Sequence, residues 1–276
     1  MLANSLVASI LSILHGYQLY ARDAAYLNAD GPRPTGTTCF SWGGDVLVVG
    51  IIANYAAVAA DTFSSELGIL SKSQPRLITS LTLRKVPPGT NGGVTLMGLG
   101  AGLFGSLVIV TAATMFLPFC SDATAELLGS GASWTMTQRR ELMGALIVWG
   151  ALGSVLDSFL GAIFQRSVKD VRSGKIVEGE GGQRVLVSSP LEESLKATET
   201  TATATGSDQA GGRYNPKNKH RRPSYGDELP SRVIENGLDW LDNNDVNFLM
   251  AVIMSVGAMA GTSWYWEIPI QNIFSI

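Results

Sequence analysis

Apolar residues fall in five long runs along the chain, and polar loops separate these runs. A helix needs roughly 20 mostly apolar residues to cross the hydrocarbon core of a bilayer. The five runs meet this length, which predicts about five spans: Leu2–Tyr20, Val46–Leu67, Gly93–Phe119, Leu142–Gln165 and Val246–Trp266. The pattern therefore predicts an all-α, polytopic integral membrane helical bundle.

Two of these runs have features beyond their length. The first resembles the apolar region of a signal peptide, but it has no basic residue before it and contains His15, so we predict a true span. The third has no charged residue and is rich in small residues, which let membrane helices approach closely. Its glycines are Gly98, Gly100, Gly102 and Gly105.

The chain divides into three parts by the distribution of its polar residues. Residues 1–165 hold the first four predicted spans and include a motif loop at 61–94. Residues 166–232 form a polar loop with a low-complexity stretch, Thr198–Gly206. Such a composition buries too little apolar surface to offset chain entropy, so we expect this loop to be largely disordered. Residues 233–276 hold a short polar motif and the last span.

The composition agrees with a membrane protein. Charged residues make up 16% of the 276 residues, against roughly 25% in soluble domains, and the mean hydropathy is +0.19. A net charge of −3 gives no reason to expect nucleic acid as a partner, so the lipid bilayer is the expected partner. Cys39 and Cys120 stand alone, with no CxxC pattern. We expect neither a metal site nor a disulfide bridge from them.

The distribution of basic residues predicts the topology. With five spans, loops 68–92 and 166–245 lie on one side and together hold 16 of the 20 Lys and Arg residues. The positive-inside rule places these two loops in the cytoplasm, and we expect the membrane to be an endomembrane. The polar residues of all five spans then gather at that face: Asn4, Asp61, Glu66, Asn91, Asp157, Asn243, Asn244 and Asn247.

Acidic residues inside predicted spans are the sharpest chemical signal. An acid in a span costs at least about 2.5 kcal/mol on insertion scales, so it normally faces a cavity or a partner. Asp61, Glu66 and Asp157 are candidate ligands for Mg²⁺, which takes one or two carboxylates plus phosphate oxygens. Asp61 and Glu66 lie about 140° apart around a regular helix, so joint binding requires a break or a bend near Ser64–Ser65. The alternative is a structural ion pair with Lys85 or Arg76.

A glycine-rich turn leads into the third span. Free backbone N–H groups at a helix start, together with the helix dipole, favour phosphate. The alternative is an ordinary loop in which Thr90 or Asn91 caps the helix. The residues of the turn are Gly89, Thr90, Asn91, Gly92 and Gly93. On the fourth span, Asp157, Gly161 and Gln165 are four residues apart and form one stripe.

Several segments resemble the transmembrane protein 19 family, also called domain of unknown function 92, which includes plant phytyl-phosphate kinase. Family motifs similar to these segments are LANG, DTWASE(I/V)G, PRLIT…KVPxGTNGGV, GSxxDSxLGA and LDNNxVN. The corresponding segments are Leu2–Asn4, Asp61–Gly68, Pro75–Thr79 with Lys85–Val94, Gly153–Ala162 and Leu241–Asn247. Family members usually have further spans and a basic, glycine-containing motif before the LANG-like segment, and this sequence starts at Met1 without them. We expect either a truncated sequence or a form that lacks part of the fold and of the site.

The resemblance implies a Mg²⁺-dependent prenyl-phosphate or phytyl-phosphate kinase that uses a nucleoside triphosphate and acts on an isoprenoid phosphate lipid at the cytoplasmic face. We assign catalytic roles to Asp61, Asp157 and Lys85, and metal binding to Asp61, Glu66 and Asp157. The expected phosphate-binding residues are Arg76, Gly89, Thr90, Asn91, Gly92, Gly93, Asn4 and Asn243. Two alternatives remain: a transporter or lipid-handling protein without catalysis, and a structural membrane protein whose acids only pair with bases.

Overall fold

A computed structural model describes residues 2–27, 39–125, 132–170, 173–177 and 232–268 of the chain. Helices dominate these residues, with five short strands at the loop ends. The helices are α1 (Leu2–Leu27), α2 (Val46–Gly68), α3 (Leu96–Phe116), α4 (Asp122–Ala125), α5 (Met136–Phe164) and α6 (Asn243–Tyr265). The strands are β1 (Arg76–Leu77), β2 (Gly93–Val94), β3 (Ser167–Asp170), β4 (Ile176–Val177) and β5 (Arg232–Asn236).

The predicted helical membrane fold is confirmed. Among the described residues, α2, α3, α5 and α6 are long and apolar enough to cross a membrane. The 26-residue helix α1 is not among these four, but it joins the bundle, because Leu11 packs with Val46, Leu47 and Met259.

Capping residues move two helix starts away from the predicted positions. The third helix begins at Leu96 rather than Gly93, because the side chain of Thr95 accepts a hydrogen bond from the Gly98 amide at 3.0 Å. The helix of the fourth predicted span, α5, begins at Met136 rather than Leu142, because Thr135 and Gln138 form a capping box. The added N-terminal turns of α5 lie at the end of the bundle opposite to the end where α2 finishes.

Small residues bring α2, α3 and α5 into close contact, as the sequence predicted. An added Cβ on Gly105 of α3 would lie 2.7 Å from the Ala59 oxygen of α2, and one on Gly102 would lie 3.1 Å from the Ala60 oxygen. Gly100 is different, because nothing lies within 4 Å of its Cβ position. Backbones that approach this closely gain van der Waals contact, which drives helix association in membranes.

A fully buried amide ties three helices together in the middle of the bundle. Asn54 of α2 has no exposed surface. Its Nδ2 donates to the backbone oxygen of Asn4 in α1 at 2.9 Å, and its Oδ1 accepts from the Ser255 hydroxyl of α6 at 3.3 Å. The amide thereby satisfies its polar atoms in an apolar setting and fixes the position of Asn4.

Cys39 and Cys120 form a disulfide, so the expectation of no bridge is wrong. Their Cα atoms lie 5.0 Å apart although 81 positions separate them in the sequence. The Cys120 amide donates to the Phe40 oxygen at 3.0 Å, and the Phe40 ring stacks on Trp134 with centroids 4.9 Å apart. The two loops meet because α2 begins and α3 ends at the same end of the bundle, a relationship that cysteine spacing alone does not contain.

Two small sheets lie at the other end. In the first, β1 pairs antiparallel with β2. In the second, the order is β4-β3-β5, so its outer strands come from the two ends of the long polar loop. The loop expected to be largely disordered therefore starts with paired strands, while its low-complexity stretch, Thr198–Gly206, lies outside the described residues.

Candidate functional site

A polar cavity of about 520 Å³ opens at the end of the bundle where α2 and α5 finish. Parts of all five long helices line it, together with the loop between α2 and α3. Its charged lining residues, within the described part of the chain, are three acids and no Lys or Arg: Asp61, Glu66 and Asp157. Most other lining residues offer backbone, hydroxyl or amide groups, so the cavity supplies polar and acidic ligands.

Asp61 of α2 and Asp157 of α5 meet in this cavity. Their carboxyl groups are close enough to interact directly. One carboxylate oxygen, Asp157 Oδ1, is buried without a hydrogen-bond partner. A buried carboxylate oxygen without a donor is unfavourable unless a cation or another donor reaches it. The sequence thus correctly predicted that the two acids would share one pocket.

Glu66 lines the same cavity but takes a different position. Helix α2 continues unbroken to Gly68, so a break near Ser64–Ser65 is not present. Glu66 is exposed and points about 140° away from Asp61 around the helix. No ion pair joins either acid to Lys85 or Arg76 in the described part of the chain, so the structural ion-pair alternative is not supported.

The glycine-rich turn lines the cavity from the loop between β1 and α3. It does not form the start of α3, because β2 and the Thr95 cap intervene. Three of its five backbone amides already have protein acceptors: the Thr90, Asn91 and Gly93 N–H groups donate to Pro87 O, Ser167 Oγ and Thr90 O. The expected free helix N-terminus is therefore wrong, as is capping by Thr90 or Asn91.

A close contact holds this turn against α5. Gly92 has a φ of +79°, a left-handed conformation that favours glycine. A Cβ there would collide with the Ala162 Cβ and would lie 2.8 Å from the Ser158 oxygen. Only a glycine at position 92 lets the turn lie this close to α5. The contact is made at Ser158, the residue that follows Asp157.

Amide side chains surround the rest of the cavity. Asn4, Asn243, Asn247 and Gln165 all line it, and Gln165 Nε2 donates to Asn243 Oδ1 at 3.5 Å. Amides can both donate to phosphate oxygens and accept from hydroxyl groups. Asn4 and Asn243 were predicted as site residues, whereas Asn247 was predicted to lie at this face but was not assigned to the site.

Further lining residues had weaker signals. Gln165 was placed on the stripe with Asp157 but not assigned to the site. The hydroxyl groups of Ser64, Ser158 and Thr95 also line the cavity. Helical spacing could have found Ser64, which lies three residues after Asp61, and Ser158, which lies three residues before Gly161.

Two predicted basic residues lie away from the cavity. Lys85 and Arg76 are exposed and do not line it. They face each other in an isolated bridge between strands, and Arg76 Nη1 donates to the Leu83 oxygen at 3.4 Å. The pairing of β1 with the chain before Pro87 turns this segment away from the acids, so the structure does not bring Lys85 and Arg76 to the site.

The donor set bears on which metal could bind. Among the described residues no group of three or more His, Cys, Asp and Glu side chains converges on one point, so an all-protein metal cage is not built here. The pair Asp61 and Asp157, with the unpartnered Asp157 Oδ1, fits an ion that takes its remaining ligands from water or substrate. Mg²⁺ binds in this way.

Comparison with known proteins agrees with this architecture. Protein PGR of Arabidopsis thaliana is 40% identical over 121 residues, which is 44% of this chain and 38% of that protein. An uncharacterized membrane protein of Methanocaldococcus jannaschii is 35% identical over 127 residues, 46% of this chain and 42% of that protein. The aligned region thus spans about two fifths of each of these relatives. No solved structure matches the chain.

The family assignment rests on a match along most of the sequence. Residues 1–255 match the family described as integral membrane protein DUF92. That range covers all of α1, the acid pair and most of α6. Every residue that lines the polar cavity therefore lies within it. The protein therefore belongs to the DUF92 family of integral membrane proteins.

Proposed function

We propose that the polar cavity transfers the terminal phosphoryl group of a nucleoside triphosphate to an isoprenoid monophosphate, with Mg²⁺ held by Asp61 and Asp157. One observation carries the proposal: two acids from separate helices meet in a polar cavity beside a glycine-rich turn. Phosphoryl transfer depends mainly on positioning and charge neutralisation, and this arrangement is suited to both.

The proposed transfer exchanges one P–O bond for another. An oxygen of the lipid monophosphate attacks the terminal phosphorus of the nucleotide and forms a new P–O bond. The bond from that phosphorus to the bridging oxygen breaks, and the nucleoside diphosphate leaves. The products are an isoprenoid diphosphate and a nucleoside diphosphate.

The charge of the lining favours a cation-dependent reaction. The cavity has three acids and, within the described residues, no Lys or Arg, so a free polyphosphate would be repelled. Bound Mg²⁺ would neutralise phosphate charge. Asp61 and Asp157 would hold it, and the amide donors of Asn243, Asn247 and Gln165 would orient phosphate oxygens.

Two independent features support a cytoplasmic site. The loop 68–92 beside the cavity has four basic residues, which favours the cytoplasmic side. The Cys39–Cys120 disulfide lies at the opposite end of the bundle, and disulfides persist in oxidising compartments. Together they favour a cavity that opens to cytoplasmic nucleotides, in an endomembrane whose lumen is oxidising.

A transfer assay tests the proposal. Membranes containing the chain are supplied with a nucleoside triphosphate labelled at its terminal phosphate and with phytyl or geranylgeranyl monophosphate. We expect labelled lipid diphosphate that depends on Mg²⁺ and is lost in Asp157→Asn. Glu267→Gln is the matched control, because Glu267 is an exposed acid at the other end of the bundle.

The same membranes distinguish transfer from transport. Substrate flux without labelled diphosphate would overturn the kinase proposal and favour a transporter. Full transfer by Asp157→Asn would reject the metal-site assignment while leaving the reaction in place.

A further inference from the structure

A second cavity, of about 390 Å³, lies at the opposite end of the bundle between the first half of α5 and the last half of α6. Its walls are mostly apolar, with Leu142, Leu146 and Ala258 among them. Polar lining side chains other than the aromatic ones lie at the loop end of the cavity: Gln138, Glu141 and Thr262. A ligand with a long apolar part and a short polar head suits a cavity of this kind.

Two glycines of α6 shape this cavity in different ways. A Cβ on Gly257 would lie 2.7 Å from the Trp149 ring, whose Nε1 donates to the Met254 oxygen at 2.9 Å. By contrast, a Cβ on Gly261 would meet no atom within 4 Å. The space beside Gly261 is therefore not filled by a neighbouring side chain, while Trp149 is fixed as one wall.

Aromatic rings form a corner at the polar end. Trp42, Tyr265 and Trp266 all line the cavity. The centroid of the Trp42 ring lies 5.2 Å from the Trp266 ring centroid, at an interplanar angle of 61°. It lies 6.0 Å from the Tyr265 ring centroid, at an interplanar angle of 88°. Rings at steep angles turn their faces in different directions, and an aromatic face that borders the cavity can attract an ammonium group by cation–π interaction.

The charged residue that lines this cavity, within the described part of the chain, is an acid. Glu141 is the charged lining residue, and it forms no ion pair with any base that the structure describes. The neighbouring Arg139 is directed elsewhere, with its guanidinium carbon 4.5 Å from the Phe119 ring centroid. A carboxylate beside aromatic faces complements a cationic head group and disfavours an anionic one.

We infer that this cavity binds a glycerophospholipid with an ammonium head group, either choline or ethanolamine. One acyl chain would lie between α5 and α6 beside Gly261. The ammonium group would lie at Glu141 and the aromatic corner. This site is independent of the acid cavity, which would take an anionic lipid at the other end of the same bundle.

Photocrosslinking tests the inference. The 276-residue chain is reconstituted in vesicles of phosphatidylcholine and phosphatidylglycerol in equal amounts, one of them at a time carrying a diazirine on the same acyl chain. We expect about fivefold more adducts on α5 and α6 from phosphatidylcholine, the ratio typical of one cation–π contact. Glu141→Gln should reduce this preference, and Gly261→Leu should abolish the adducts.

A matched variant controls for general effects on helix packing. Gly144 of α5 also has no atom within 4 Å of its Cβ position, but it lies outside the cavity lining. Gly144→Leu should therefore retain both labelling and preference, and thermal melting in detergent verifies that each variant is folded. Equal labelling by the two lipids in the unmodified chain, or unchanged adducts in a folded Gly261→Leu, would overturn the inference.

Discussion

Gly153 of α5 lies so close to Ala57 of α2 that a Cβ on Gly153 would be 2.5 Å from the Ala57 Cβ. Asp157 and Asp61 each follow four residues later, about one helical turn further along. Because α2 and α5 both finish at the polar cavity, the contact and the acid pair lie on one shared seam. The Gly153–Ala57 contact thus sets the separation at which the two acids meet.

Gly153→Val should separate the acids and weaken the bundle. Overpacking of a tight core contact costs about 1–3 kcal/mol, and a displacement of about 1 Å at a reacting centre can reduce the rate about 100-fold. We expect a lower melting temperature in detergent and a transfer rate reduced by roughly that factor in the labelled-nucleotide assay.

Gly100→Val is the control for this change. Gly100 also lies in a membrane helix, but nothing surrounds its Cβ position within 4 Å, so both measurements should stay near those of the unmodified chain. If Gly153→Val melts and reacts like the unmodified chain, the contact does not determine the acid geometry.

Local periodicity predicted much of the site. Asp157, Gly161 and Gln165 lie four residues apart, and all three line the cavity, because helical spacing is a property of the local sequence. The counting of spans also placed Asp61 and Asn243 at the same face, since successive spans cross the membrane in opposite directions.

Long-range pairing limited the rest of the prediction. The pairing of Arg76 with Val94 inserts a strand between the glycine-rich turn and α3, so the helix starts later and the turn loses its role as a helix N-terminus. The Cys39–Cys120 bridge likewise depends on which loops share an end of the bundle. Such contacts between distant segments leave no periodic signal in the sequence.

Replacing the buried Asn54 should destabilise the bundle without touching the acid pair. Asn54→Leu removes hydrogen bonds to Asn4 and Ser255. Each interhelical hydrogen bond in a membrane contributes about 0.6 kcal/mol on average and up to about 1.7, so we expect a loss of about 1–2 kcal/mol. Unfolding in mixed micelles with increasing sodium dodecyl sulfate measures this free energy.

Ser255→Ala provides the smaller step for comparison. It removes only the longer of the two hydrogen bonds, that of 3.3 Å, and should cost less than Asn54→Leu. An Asn54→Leu variant as stable as the unmodified chain would show that this amide does not hold the three helices together.

Thiol labelling in sealed vesicles, cytoplasmic face outward, tests the proposed side of the disulfide. A membrane-impermeant maleimide should not reach Cys39 or Cys120, even with an impermeant reductant, until the vesicles are permeabilised and reduced. The control is Ser73→Cys in a chain with both native cysteines changed to serine. Ser73 is exposed and lines the acid cavity, so it should react without permeabilisation. The opposite labelling pattern would reverse the topology.

Glu66 and Asp61 should differ in their contribution to transfer, although both line the cavity. Asp61 interacts directly with Asp157, whereas Glu66 is exposed and lies about 140° away around an unbroken helix. Asp61→Asn should therefore reduce the transfer rate by at least about 100-fold, in the range for a lost transition-state electrostatic contact. Glu66→Gln should change it by less than about fivefold, in the range of an exposed ionic contact.

Raising the Mg²⁺ concentration should partly restore Glu66→Gln and leave Asp61→Asn inactive. Equal losses in the two variants would mean that Glu66 reaches the metal and that α2 bends when substrate binds.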